Sequence, residues 1–177
     1  MQSLSYSEKK KNKELTDLLI RFAPDKQATV CYNSEECFKS NSFTLSQIDT
    51  MYGNLSSNIF LIPQLTDIAI FSNCRDVMTD KQVKELAAMI VANFYYLKIT
   101  EIMLFCFRFK SGRYGTFYGS VSPMTIMIAL NQFIRERNET LFRLESEGRK
   151  KKLENEYRYA VSYEEYLKLK EKNNNEN

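Results

Sequence analysis

The chain has 177 residues, 44% of them hydrophobic and 27% charged, and a formal net charge of +3. These are the values of one ordinary globular domain able to bury a core, and the longest apolar runs, EIMLFCF and MTIMIAL, fall far short of the ~20 residues a membrane span needs. Histidine is absent, which removes the commonest general base, the usual partner of a Ser or Cys nucleophile, and the commonest metal ligand.

The N-terminus, MQSLSYSEKKKNKEL, has lysines but no apolar run and no small-residue cleavage site. No secretory signal is expected, and the expected location is the cytoplasm. In NKELTDLLIRF, Leu15, Leu18, Leu19 and Phe22 form one stripe of a helix, with Lys13, Glu14, Asp17 and Arg21 on its other face. Pro24 and Asp25 end it. QATVCYNSEECFKSNS is polar and lacks a period; within it ATVCY, residues 28–32, is either a short strand or an extended connector. Thr44 and Gln47 make a capping box, opening a short helix that stops at Gly53 as a left-handed cap. Pro63 fits a first turn, so the next helix is expected from about residue 63 to Phe71, with Leu65, Ile68 and Phe71 inward.

Thr79 and Gln82 make a second capping box, Asp80 suits the N-terminal dipole, and Val83, Leu86, Ile90 and Phe94 form a buried stripe. Thr100 is the expected cap of EIMLFCFRFK, which is apolar nearly all round and therefore central; Arg108 and Lys110 suit its C-terminal dipole. Ser122 and Pro123 signal the start of another helix. It buries Ile126, Leu130 and Phe133, with Ile134 and Leu141 as further candidates, and turns polar and basic later. Ser162 and Glu165 cap a last helix. Met89, Met103, Met124 and Met127 are expected in the core.

Cys31, Cys37, Cys74 and Cys106 have no CxxC spacing, so they are expected to be reduced thiols and not zinc ligands. Asp76 with Asp80, and Glu35 with Glu36, are weak metal candidates that capping and solvation explain better. Tyr157, Tyr159, Tyr163 and Tyr166 can dock the C-terminal region on the body or on a partner.

Charge is uneven. Residues 1–107 hold 11 Lys/Arg against 12 Asp/Glu, net −1; residues 108–152 hold 10 against 4, net +6; residues 153–177 hold 4 against 6, net −2. The basic block opens with RFKSGRYGTFYGS, residues 108–120. Its Gly112, Gly115 and Gly119 match neither a phosphate-binding P-loop nor GxGxxG after a strand, so no nucleotide cofactor is expected. Gly112 follows a buried helix, where a positive φ is needed, and Phe109 and Phe117 serve as core anchors. Arg108, Lys110, Arg113, Tyr114 and Tyr118 are left over. Cations interleaved with rings suit single-stranded nucleic acid. Arg135 and Arg143, eight residues apart on a helix, extend that patch together with GRKKK at 148–152, whereas Arg137 is displaced. The plain alternative is a solvated basic surface.

The block YLKITEIMLFCFRFKSGRYGTFYGSVSP, continued by ALNQFIRER, resembles a segment of small uncharacterised proteins of gut Bacteroidales and their phages or mobile elements. Glu101, Phe105, Phe109, Gly112, Tyr114, Gly115, Tyr118, Gly119, Pro123 and Arg135 to Arg137 carry the resemblance, which spans residues 96–137. It implies a bacterial or mobile-element setting and supplies no catalytic residues. In size and helical character such proteins are similar to phage helicase loaders and replisome organisers, by analogy alone.

The expected fold is mainly α: a single-domain multi-helix bundle over residues 1–172, with a central buried helix at about 101–110, little or no strand, and a disordered tail at 173–177. The expected function is that of a non-enzymatic accessory protein. It associates with DNA or RNA through Arg108, Lys110, Arg113, Tyr114, Tyr118, Arg135 and Arg143, in replication or mobile-element maintenance. The alternative is a protein–protein adaptor that docks an acidic partner; a histidine-free enzyme ranks third. No catalytic, cofactor or metal residue is assigned, no membrane partner is expected, and nothing in the sequence assigns an oligomeric state.

Overall fold

The computed structural model describes residues 6–72, 77–115, 121–159, 163–164 and 166–168. The fold is mainly α, and among the described residues there is no strand. The chain divides into two units, Met1–Arg137 and Asn138–Asn177. The first unit opens with α1 (Tyr6–Arg21), a 3₁₀ turn (Pro24–Lys26), α2 (Gln27–Val30) and α3 (Ser34–Lys39). It continues with α4 (Leu45–Tyr52), α5 (Ser56–Phe71), α6 (Asp80–Phe94) and α7 (Ile99–Lys110). The last helix, α8 (Pro123–Tyr159), begins in the first unit and continues into the second.

At the centre of the first unit lies α7. Every residue from Ile99 to Cys106 is buried, and so is Phe109. Around it pack α2, α3 and α5, while α5 in turn packs on α4 and α6. The helix starts earlier than expected, and Thr100 is not its cap. Ile99 N–H donates to Phe43 O (2.9 Å) and Leu45 N–H to Leu97 O (3.0 Å), so the chain enters α7 pinned against residues 43–45. The orphan amide of Lys98 is met by the Glu101 carboxylate at 2.9 Å. Thr100, inside the first turn, donates to Cys37 O (2.9 Å) and lies 2.8 Å from the hydroxyls of Ser40 and Ser42. Lys98 Nζ donates to Phe38 O (2.8 Å) and Ser40 O (2.7 Å), holding the end of α3 where its carbonyls lack helical donors.

Residues 28–32 are neither strand nor extended connector. They form most of α2 and the turn that follows it, and α3 comes next. Only Gln27, Cys31, Cys37 and Phe38 are buried here, too few for a periodic signal, so tertiary packing on α7 decides the local structure. The Asn33 carboxamide accepts from Glu35 N–H at 3.1 Å and caps α3.

The capping boxes of α4 and α6 form as expected, with Thr44 and Gln47, and Thr79 and Gln82, satisfying each other's backbone amides. Gly53 ends α4 at φ 113°, ψ 163°, a positive-φ extended conformation open to glycine rather than the left-handed helical one. α5 is longer than its sequence suggests. Asp49 accepts from Ser57 N–H (2.8 Å) and Ser57 Oγ (2.7 Å), which anchors a helix start ahead of Pro63 and leaves that proline inside the helix. Leu65 and Ile68 are buried, but Phe71 is 60% exposed. Val83, Leu86, Ile90 and Phe94 of α6 are buried, as are Ile126, Leu130 and Phe133 of α8, while Ile134 and Leu141 are half-buried. Of the core methionines, Met103 is buried and Met127 half-buried, whereas Met89 and Met124 face solvent.

In the second unit, α8 runs on to Tyr159, past its expected polar turns. From Glu147 to Arg158 every residue is exposed. Ser162, Glu165 and the tail 173–177 lie outside the described residues.

Candidate functional site

The end of α7 turns at Gly112 (φ 76°), where Arg113 N–H bonds back to Arg108 O at 3.1 Å. That reversal is the left-handed helix stop the glycine permits. It also returns Arg113 to the neighbourhood of Arg108, and both meet one carboxylate of α8. Arg108 Nη1 lies 3.2 Å and Arg113 Nε 2.9 Å from the same oxygen, Glu136 Oε2. Arg108 is further enclosed by the rings of Phe38 and Phe133, each centred 5.9 Å from its guanidinium.

Tyr114 completes this group. Its ring packs 5.8 Å from that of Phe105, and its hydroxyl is buried with no hydrogen-bond partner among the described residues. Burial, reinforced by the Glu136 charge, pushes its pKa up to about 12. The neighbouring Arg108 offsets part of that rise. Tyr114 therefore packs its ring inward and does not offer a stacking face.

The other cations go elsewhere. Lys110 pairs with Asp67 of α5 and lies over the ring of the exposed Phe71, 5.3 Å from its centroid. Arg137 points inward, its Nε 2.7 Å from Glu101 Oε1, and Glu101 is wholly buried. Arg135 is exposed and has no ion pair among the described residues. It edges a shallow hollow with Ile128, Asn131, Gln132 and Ile134. Arg143 belongs to the second unit and pairs with Glu147 at 3.2 Å. Tyr118 and Phe117 lie outside the described residues.

Of the seven expected contact residues, the structure thus gathers Arg108, Arg113 and Tyr114 around Glu136 and leaves Lys110 and Arg135 apart. The organising acids, Glu136, Asp67 and Glu101, carry no motif. Glu136 is one of four acids among the fourteen charges of the basic block.

Chemistry elsewhere is sparse. A hollow of about 540 Å³ is bordered by Arg21, Phe22, Val30, Phe43 and the hydroxyls of Ser40, Ser42 and Thr100. Those hydroxyls bond one another and Cys37 O, and among the described residues the lining holds no carboxylate to activate them. Among the described residues no three His, Cys, Asp or Glu side chains converge to hold a metal ion, and no helix is long and apolar enough to cross a membrane. Asp76 and Cys74 lie outside the described residues, while Cys31, Cys37 and Cys106 are free and buried.

The second unit has the opposite character. Phe142 (74% exposed), Leu153 (51%) and Tyr157 (77%) protrude from α8. Lys150, Lys151 and Lys152 are exposed and without ion pairs among the described residues. No curated protein and no solved structure matches the chain. Residues 77–177, from just before α6 to the C-terminus, match the model of DUF6633, a family of unknown function, and the chain belongs to that family.

Proposed function

We propose that the protein is a non-enzymatic interaction module that docks a protein partner with acidic groups, and that it does so through α8 of its second unit. One observation carries this reading: exposed Phe142, Leu153 and Tyr157 share a helix with Lys150–Lys152, which have no ion pair among the described residues, a combination of apolar anchors and cations that suits an acidic, partly apolar surface. The cations of residues 108–113 support it by contrast, because each is already engaged by a carboxylate, Arg108 and Arg113 by Glu136 and Lys110 by Asp67. A cytoplasmic setting belongs to the same proposal.

Nucleic-acid association in replication or mobile-element maintenance is the second reading. It draws on the exposed Lys150–Lys152 of the second unit. One experiment separates the two. Tagged protein is used to capture partners from host lysate after nuclease digestion, with Lys150→Glu/Lys151→Glu/Lys152→Glu as control. Partners that survive digestion and are lost with the triple variant support docking. Capture that disappears with the nucleic acid, matched by oligonucleotide anisotropy that falls steeply with salt, transfers the function to the second reading.

A further inference from the structure

The helix of the second unit presents a continuous face. At 100° per residue, Leu153 lies about 20° and Tyr157 about 60° round the axis from Phe142, so all three exposed side chains share one stripe. Thr140, Leu141 and Leu144, on the far side, are half-buried. Beyond Ser146 the helix is exposed on every side, and an isolated helix in water gains too little from its own hydrogen bonds to be more than marginal.

We propose that this stripe pairs with the same stripe of a second copy of the chain, in an antiparallel two-helix arrangement whose two-fold axis passes between Gly148 and Arg149. The inference rests on the reading of this helix as an interaction surface and names its partner. Charge order singles out a second copy in this direction. Along the helix come Glu145 and Glu147, then Arg149 to Lys152, then Glu154 and Glu156. A parallel pair in register sets the basic block against itself. The antiparallel pair does not.

With the axis between residues 148 and 149, Phe142 faces position 155 of the second copy, the gap between Leu153 and Tyr157. Ring enters hole, twice by symmetry. Antiparallel helices also bring like flanks together. On one flank Glu145 meets Lys152; on the other, Arg143 meets Glu154. Lys152 and Glu154 have no ion pair among the described residues, so each is available. Ser146, which lies on the stripe about 40° from Phe142 and next to the crossing, is small enough to let the backbones approach. The two Arg149 side chains come near each other there, and each keeps its own Glu145 (3.4 Å) as counter-ion. Because Ser146 and Arg149 interrupt the apolar seam, the pair is a reversible one.

The test is sedimentation velocity on the full chain over a concentration series, with circular dichroism to verify that each variant is folded. The expected result is a monomer–dimer equilibrium whose dissociation constant rises about tenfold or more in Phe142→Arg, as befits a buried aromatic anchor. Glu145→Lys or Lys152→Glu alone weakens the dimer, and the two together restore it. On mild oxidation a Glu145→Cys copy crosslinks to a Lys152→Cys copy, identified by mass spectrometry of the joined peptides. A chain monomeric at every concentration, a dimer indifferent to Phe142→Arg, or a Glu145→Cys copy that crosslinks to itself overturns the proposal. A monomer that still captures a nuclease-resistant partner loses the self-pairing but keeps the interaction module, so the two failures are distinguishable.

Discussion

Residues 108–137 and residues 138–159 are both rich in arginine and lysine, yet they use the charge in opposite ways. In the first stretch Arg108 and Arg113 share Glu136, Lys110 meets Asp67, and Arg137 reaches the buried Glu101. In the second, the pairs are exposed neighbours one helical turn apart, Arg143 with Glu147 and Arg149 with Glu145, and Lys150–Lys152 pair with nothing described. A cation's position in a basic block says little about its availability. What matters is whether an acid from a distant element is folded against it, and only the tertiary structure supplies that acid.

The largest expected effect lies where the pair is buried. Arg137→Ala leaves the fully buried Glu101 without its partner, and removing one member of a buried ion pair costs about 3–5 kcal/mol. Chemical denaturation should show that loss. Replacing both, as in Glu101→Gln with Arg137→Met, should recover most of it, because a neutral pair carries no uncompensated charge. If the single variant unfolds like wild type, the pair does not hold α7 to α8.

Glu136→Gln breaks the comparison from the other side. It leaves Arg108 and Arg113 without a carboxylate, at a cost of about 1–2 kcal/mol for a charge-assisted contact only partly shielded from water. It also removes the one carboxylate that offsets part of the charge of the two arginines in wild type. Oligonucleotide affinity that is salt-sensitive in the variant, and stronger than in wild type, is the expected outcome by anisotropy. Equal binding by the two proteins would mean that Glu136 does not mask this surface.

The same contrast explains what the sequence could and could not disclose. Helices α4 and α6 announce themselves through local chemistry, a Thr at the cap and a Gln three residues on, and α7 through an apolar run too continuous for any surface. Signals of that kind act within a turn or two. The start of α5 depends on Asp49, the start of α7 on backbone pairing with residues 43–45, and α2 and α3 on packing against α7. None of those lies within the reach of a local pattern. The candidate site followed the same division: the turn at Gly112 was legible as a helix stop, whereas Glu136, 23 residues beyond Arg113, was not.

Tyr114 sharpens the comparison by a smaller amount. Its buried hydroxyl has no hydrogen-bond partner among the described residues, so Tyr114→Phe should stabilise the fold slightly, by about 1 kcal/mol or less once the desolvation penalty is removed. The pH dependence gives a second readout. With the folded pKa raised from 10.0 to about 12 by burial, the folded state resists ionisation that the unfolded chain accepts. The contribution is complete below the unfolded value and is lost as pH climbs from there through the folded one. Stability of wild type should fall over that alkaline window more steeply than that of Tyr114→Phe.

The smallest effect belongs to the second unit. Glu147→Ala removes the exposed partner of Arg143, and an i,i+4 pair of this kind is worth about 0.2–0.5 kcal/mol. Monomeric protein should show a change near the limit of detection by thermal unfolding, declining further with salt. Arg143 is then released from its intrahelical carboxylate, which favours its proposed pairing with Glu154 of a second copy. Self-association should therefore be unchanged or slightly stronger in Glu147→Ala even as the isolated helix loses support. A variant that loses both helix content and dimer in step would indicate that the helix needs its own ion pairs before it can meet a partner.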